Sequence, residues 1–328
     1  MINDILSLPE QLRWGTRLEL DPIQTGGPIV LIGMGGSAMA ATVATLAASP
    51  RVPIVVHRGY GLPDWAADSS ASVIAVSYSG NTEEVLSGVD AAISEGLALS
   101  AVASGGRLGE ISGDRGLPYV EVPGGLQPRA GVGFQTAAVA AVLAAAGQIS
   151  AVDRDLDEAA DTVEELLDGG EGGAFVLGRD IAAGFVNRTA VIYGGRGVGA
   201  TAAYRWKTQI NENAKVPAFS GTVPEMNHNE LEGWRPEASH GFGLVYLRDS
   251  GDHPAVARRL DLSGTVLFGS VRRVGEVRSA GMGPLARFFS LAVVGDVASV
   301  SIAEQAGVDP TPVATLEEFK TMLAKGRT

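Results

Sequence analysis

The sequence predicts an α/β protein that contains two doubly wound parallel sheets. Three observations lead to this fold class. From residue 28 onward, short apolar segments rich in β-branched residues alternate with helical patterns, as expected of parallel sheets. A strand that ends in a glycine-rich turn and opens into a helix occurs twice, near residues 33 and 194. The length of 328 residues is sufficient for two domains, which we expect at residues 1–150 and 151–328.

Four segments of the first half have the composition of buried parallel strands, because Val, Ile, Leu and Ala dominate them and turn residues separate them. They are residues 29–33, 52–56, 72–77 and 97–102. A helix at residues 131–147 closes this half.

The second half repeats the same alternation after a charged helical connector at residues 151–168. We expect strands at residues 190–194, 243–248 and 264–270, and a helix at residues 200–210. The two halves therefore look like copies of one α/β plan.

The longest apolar stretches, residues 137–146 and 285–303, indicate buried core helices. The first is rich in alanine and the second is interrupted by Arg287 and Asp296, so neither resembles a membrane span. The N-terminus lacks the basic start and cleavage site of a signal peptide, so we expect a cytoplasmic protein.

The formal net charge of −12 excludes nucleic acid and anionic membranes as main partners, since both require a basic surface. An acidic protein can still bind an anion locally, with backbone N–H groups and hydroxyls. Because the chain has no cysteine, disulfides, thiolate metal sites and cysteine nucleophiles are also excluded.

The first glycine-rich turn, GMGGSA, follows the strand that ends at Gly33. It fits the dinucleotide fingerprint formally, but His57, Arg58 and Gly59 stand where that fingerprint requires an acidic residue. This departure disfavours a nicotinamide cofactor. An anion site formed by backbone N–H groups, including that of Gly36, and by the Ser37 hydroxyl is still compatible with the turn, and so is purely structural close packing.

A second turn, SYSGNTEE, follows the third strand and carries the hydroxyls of Ser77, Ser79 and Thr82. Three hydroxyls at the start of a helix can surround one phosphate. An ordinary capping box is the alternative, but it explains only one of the three.

A third cluster lies in residues 211–230, which contain three glutamates and one of the four histidines of the chain. Titratable groups gathered beside proline and glycine indicate a site of proton transfer. Glu212 follows the predicted helix at residues 200–210, and His228 lies sixteen positions later. We expect both side chains to reach one cleft.

The motifs GMGGS and SYSGNTEE resemble the sugar isomerase (SIS) domain, a flavodoxin-like three-layer α/β/α sandwich that binds phosphosugars through these hydroxyls. Two such domains in tandem fit the length. The segments NENAK, VPEMNHNELEGW and GVDPTPV resemble the bifunctional phosphoglucose/phosphomannose isomerases, and the similarity covers residues 27–325. The resemblance implies an aldose–ketose isomerase that needs no cofactor and no metal.

The resemblance also implies roles for individual residues. Glu212 would be the base that moves a proton between C1 and C2, a task that suits a carboxylate. His228 would open the sugar ring, together with Lys320, for which a solvated helix face is the alternative. Arg129 would stabilise the enediolate or the water beside it. The phosphate would be bound by Gly36, Ser37, Ser77, Ser79 and Thr82.

The partner implied by the family is a phosphosugar, and the assembly is a homodimer in which His228 can belong to the neighbour's active site. A non-catalytic sugar-phosphate sensor of the same fold is the alternative function. An aminosugar or related phosphosugar isomerase is a second one. Whether mannose 6-phosphate is a substrate, and what Lys215, Glu225 and Glu230 do, are left open by the sequence.

Overall fold

The computed structural model describes residues 1–48, 50–150, 152–267 and 269–325, which form two parallel sheets. The first sheet has five strands in the order β2-β1-β3-β4-β5. Its strands are β1 (Ile29–Ile32), β2 (Ile54–His57), β3 (Ser72–Val76), β4 (Ala98–Ala103) and β5 (Tyr119–Glu121). Every residue of β1 and β3 is buried, because these central strands have helices on both faces.

The residues described in the first half form six helices. They are α1 (Ile2–Leu6), α2 (Leu8–Gly15), α3 (Gly35–Leu46), α4 (Glu83–Ser94), α5 (Gly106–Arg115) and α6 (Val132–Ala145). Both α3 and α4 begin directly after the loops that carry the glycine-rich and hydroxyl-rich motifs.

The second sheet has four parallel strands in the order β7-β6-β8-β9, which repeats the order of the first four strands. Its strands are β6 (Thr189–Gly195), β7 (Ala218–Val223), β8 (Phe242–Arg248) and β9 (Arg272–Arg278). The predicted repetition of one plan is therefore confirmed.

Eight helices belong to the described residues of the second half. They are α7 (Val152–Asp168), α8 (Ala174–Gly184), α9 (Val198–Gln209), α10 (Met226–Asn229), α11 (Pro236–Ser239), α12 (Pro254–Val266), α13 (Pro284–Ala306) and α14 (Ala314–Lys325). A π-helical turn, Ile210–Ala214, continues α9.

The strand predicted at residues 264–270 is wrong. Its first residues end α12, and the fourth strand of the sheet is β9. Leu260, Ser263 and Leu267 are buried at helical spacing, whereas Val266 is exposed, which is the pattern of a helix with one inner face. Phe268 and the first residue of the predicted connector, Ala151, lie outside the described residues.

Three strands, β5, β7 and β9, were not predicted. Each lies at the edge of its sheet and has one neighbouring strand. The second of them, with the sequence AFSGTV, falls inside the titratable cluster at residues 211–230 and has only two fully buried residues. An edge strand needs no continuous apolar run, so its sequence resembles a loop.

The helix α13 is the centre of the protein, and residues of both halves pack around it. Leu12, Val43 and Val132 of the first half share one hydrophobic cluster with Trp206 and Phe288 of the second. Among the described residues α13 is the one helix long and apolar enough to cross a membrane, but 89% of its most apolar window is buried inside the protein. The prediction of a buried core helix at residues 285–303 is therefore confirmed.

Candidate active site

The hydroxyl loop lies at the carboxyl edge of the first sheet, between β3 and α4. Ser77 and Thr82 are paired there, with their hydroxyl oxygens 2.9 Å apart, and Thr82 is the N-cap residue of α4. Ser79 is exposed in the turn between them. Gly80 adopts a left-handed conformation with φ of 68°, and a side chain there would collide with the backbone of Gly105.

These three hydroxyls lie just before α4, whose first N–H groups have no partner within the helix. A helix N-terminus favours negative charge, and hydroxyls add hydrogen bonds without adding a cation. The loop is therefore chemically suited to an anion such as phosphate.

The Ser37 hydroxyl has two partners inside the protein. It donates to Gln135 Oε1 at 2.6 Å and accepts from the Tyr78 N–H at 3.0 Å, and Ser37 is only 5% exposed. It thus connects the glycine turn, the hydroxyl loop and α6. Direct contact between this hydroxyl and a phosphate would require one of these hydrogen bonds to break.

Gly36 lies in the first turn of α3 and packs against the segment that carries Arg129. A Cβ at position 36 would lie 3.0 Å from the Pro128 carbonyl oxygen and 3.2 Å from the Arg129 nitrogen. The absence of a side chain brings the N-terminus of α3 next to this arginine.

Arg129 precedes α6 and is 4% exposed. Its Nε donates to Asn213 Oδ1 at 2.8 Å, and its Nη2 donates to the carbonyls of Pro310 and Thr311 at 2.8 and 2.9 Å. Burial lowers the pKa of Arg129, and the negative charge of Glu212 opposes that change. The guanidinium stays protonated because its ordinary pKa is so high.

Glu212 lies in the π-helical turn after α9, and its side chain is 31% exposed. Its Oε2 is 3.5 Å from Arg129 Nη1. One small cavity is lined by Gly35, Gly36, Arg129 and Glu212. The predicted base, the predicted cation and the glycine turn are thus together, although they come from different halves.

Lys215 ends the π-helical turn in a left-handed conformation, with φ of 59°. Its Nζ donates to the carbonyls of Glu212 and Pro312, the latter at 2.6 Å. Burial is the main cause that lowers the pKa of Lys215, and the charge of Arg129 adds to it. The ammonium ties the turn of Glu212 to the loop before α14.

The expectation that Glu212 and His228 reach one cleft within a chain is wrong. Asn211, the residue before Glu212, accepts a hydrogen bond from the Ala218 N–H at the amino end of β7. His228 lies on α10, which follows the carboxyl end of β7 at Val223. A strand of this length spans about 20 Å. The two residues are therefore at opposite edges of the second sheet.

His228 and Lys320 are both exposed, and within the described ranges neither side chain has a hydrogen bond or an ion pair. Lys320 lies on α14, six residues after Ala314. Ala314 lines a groove together with Glu212, so Lys320 is about 9 Å further along the helix axis.

The two other glutamates of the cluster have structural contacts. Glu230 Oε2 accepts from the Tyr193 hydroxyl at 2.6 Å, and Glu225 Oε1 accepts from Asn229 Nδ2 at 3.2 Å. Burial, and next to it the hydrogen bond to Glu230, raises the pKa of Tyr193. Asn213, Pro310 and Thr311, which hold Arg129, are the site residues that sequence reasoning missed.

Two parallel sheets of one plan, with a hydroxyl-lined loop and a Glu–Arg pair between them, place this protein in the sugar isomerase class of α/β enzymes. The model of the bacterial phospho-glucose isomerase C-terminal SIS domain matches residues 177–323. A solved structure of a hypothetical protein from Thermus thermophilus has the same fold, with a TM-score of 0.77 at 14% identity. The match covers 99% of this chain and 90% of the Thermus thermophilus protein.

Relatives of similar length identify the family within this class. A protein of Caldicellulosiruptor bescii named bifunctional phosphoglucose/phosphomannose isomerase is 33% identical over 99% of both chains. A protein of Aquifex aeolicus with the same name is 36% identical over 90% of both chains. This chain belongs to the family of bifunctional phosphoglucose/phosphomannose isomerases, as its motifs predict, and the regulatory alternative is not favoured.

Proposed function

We propose that this enzyme interconverts glucose 6-phosphate, fructose 6-phosphate and mannose 6-phosphate through a cis-enediol, with Glu212 as the base. The observation that carries the proposal is the 3.5 Å approach of Glu212 Oε2 to Arg129 Nη1, beside the glycine turn of the first half. The activity named for the relatives supports the class of substrate.

The phosphate is bound at the carboxyl edge of the first sheet, by the hydroxyls of Ser77, Ser79 and Thr82 and the N-terminus of α4. Gly36 and Ser37 form the neighbouring wall through the first turn of α3. Binding energy from this remote dianion positions C1 and C2 of the open sugar against Glu212.

Glu212 takes the proton from C2 of the open aldose, and the electron pair left behind forms the C1–C2 double bond of the enediol. Negative charge develops on the sugar oxygen, and Arg129 Nη1 stabilises it. The proton of the O2 hydroxyl passes to O1, the same carboxylate returns a proton to C1, and O2 becomes the ketone oxygen. Because the enediol is planar at C2, rotation about C2–C3 gives both epimers access to one base.

Solvent exchange tests this reaction directly. In deuterated water, each of the three phosphosugars supplied alone should give an isomeric product that carries deuterium. The proton taken from carbon exchanges with solvent, in a fraction of the turnovers, while the Glu212 carboxyl group holds it. Glu212→Gln should lower kcat by at least about 10³-fold with little change in phosphosugar binding. The exposed Glu232→Gln is the control and should retain activity. Isomerisation without deuterium in the product, or an active Glu212→Gln, would contradict the mechanism.

His228 opens the ring from a second copy of the chain, because β7 separates it from Glu212 within one copy. The active enzyme is accordingly a homodimer, and Lys320 on the exposed helix α14 assists the same ring chemistry. The family resemblance and the opposite positions of Glu212 and His228 support this arrangement.

Mixing two inactive variants tests the shared site. Equal amounts of Glu212→Gln and His228→Asn protein, unfolded and refolded together, should recover about a quarter of the wild-type activity, because half of the dimers are hybrids with one complete site. A double variant refolded with Glu212→Gln should recover none. If the mixture stays as inactive as its components, His228 does not act across the dimer.

We also place the enzyme in the cytoplasm and the boundary between its two SIS domains at residues 150 and 151. The end of α6 at Ala145 and the start of α7 at Val152 support this boundary.

A further inference from the structure

We infer that Asn213 is a positioning residue that directs one nitrogen of Arg129 toward the substrate, an inference that rests on the proposed isomerase function. Asn213 is fully buried and lies next to Glu212 in the π-helical turn. Its contacts determine which part of the guanidinium is available.

An arginine has five N–H donors, and the protein uses three of those of Arg129 at short distance. One goes to Asn213 Oδ1 at 2.8 Å, and two go to the carbonyls of Pro310 and Thr311. The contacts of Nη1 are longer, at 3.4 Å to Gln127 Oε1 and 3.5 Å to Glu212 Oε2. Nη1 is therefore the nitrogen that can bind an oxygen of the substrate.

The orientation of the Asn213 amide is fixed from its other side. The Ser299 hydroxyl donates its hydrogen to the Asp296 carbonyl at 2.7 Å, so its oxygen can only accept from Asn213 Nδ2, which is 2.9 Å away. With Nδ2 held by Ser299, Oδ1 must face Arg129. Ser299 is as fully buried as Asn213, so water does not compete for this contact.

A neutral amide at this position has a chemical consequence. It accepts from Arg129 without cancelling the positive charge, whereas a carboxylate in the same place would neutralise the guanidinium from behind. The full charge of Arg129 therefore remains for the enediolate, whose negative charge exists only during the reaction.

Asn213→Asp is the direct test because it keeps the shape and the acceptor atom that faces Arg129 and adds a charge. It also replaces the Nδ2 donor to Ser299, a loss that Ser299→Ala measures separately. We expect kcat to fall at least about 10-fold, with less than about a 2-fold change in KM, since the charge is needed in the transition state. A five-carbon aldonate phosphate, whose carboxylate resembles the enediolate, should bind more weakly by the same factor as kcat falls. Asn187→Asp, the same change at an exposed site, should leave all three quantities unchanged.

Ser299→Ala removes the anchor of the amide without touching Arg129, and should cause a smaller fall in kcat of the same kind. A merely structural role would instead lower Tm and weaken the aldonate and the phosphosugar alike. An active wild type whose Asn213→Asp form keeps its kcat within 2-fold overturns the inference alone. A wild type without isomerisation overturns the proposed function and the inference together.

Discussion

The two halves have the same strand order but opposite chemistry at the carboxyl edges of their sheets. After β3, the first half presents the hydroxyls of Ser77, Ser79 and Thr82 at the start of α4. After β8, the second half presents two carboxylates, Asp249 and Asp252, at the start of α12.

Each carboxylate of the second edge has its own environment. Asp249 forms an ion pair with Arg287 at 2.9 Å, whereas one oxygen of Asp252 is buried and without a hydrogen-bond partner among the described residues. The Asp252 carboxylate occupies the space where a side chain at Gly195 would lie. The fold thus supplies two similar edges, and the side chains make only the first one suitable for a dianion.

Of all changes at the two edges, a carboxylate placed at the first edge should have the largest effect. Ser79→Asp should lower kcat/KM by about 10³-fold, because two unit charges near 4 Å repel by about 4 kcal/mol at an effective dielectric constant near 20. Ser79→Ala removes one hydroxyl only and should raise KM by about 10-fold with kcat unchanged. Steady-state kinetics on fructose 6-phosphate measures both.

The matched control makes the same change at the second edge. Ser250→Asp adds a carboxylate to an exposed position between Asp249 and Asp252, and should leave kcat/KM unchanged. An equal loss in Ser250→Asp and Ser79→Asp would mean that the phosphate is not bound at the first edge.

A smaller effect, on stability rather than on catalysis, is expected when the charge of the half-buried Asp252 is removed. Burial, and after it the charge of Asp249, raises the pKa of Asp252. The folded protein therefore binds this proton more tightly than the unfolded chain, so the group costs stability as the pH rises above about 4. Asp252→Asn should raise Tm at pH 7, and the gain should shrink toward pH 3, without a change in kcat. A gain in Tm that is the same at both pH values would contradict this assignment.

The sequence was sufficient for the parts of the fold that are buried on both faces. The strands β1 and β3 are continuous apolar runs followed by turn residues, so they were predicted close to their observed bounds. The strand β9 was missed because it is an edge strand with the sequence RRVGEVR, and arginines are not typical of a buried strand.

The site was predictable where its residues are neighbours in sequence. Ser77 and Thr82 are five residues apart and meet because one loop holds both. The contacts of Arg129 with Asn213 and Pro310 span 84 and 181 residues, so no local pattern predicts them. The separation of Glu212 from His228 was missed because β7, which lies between them, is an edge strand whose sequence resembles a loop.

The hydrophobic cluster shared by the two halves has a consequence for motion. Apolar side chains of α2, α3 and α6 are buried against the second half, and the cleft between Gly36 and Glu212 lies beside this contact. Domains that open and close around a ligand usually meet through small or polar surfaces. Separating the two halves would expose a continuous apolar surface to water. We therefore expect the motions that accompany the reaction to be confined to loops and side chains around this contact.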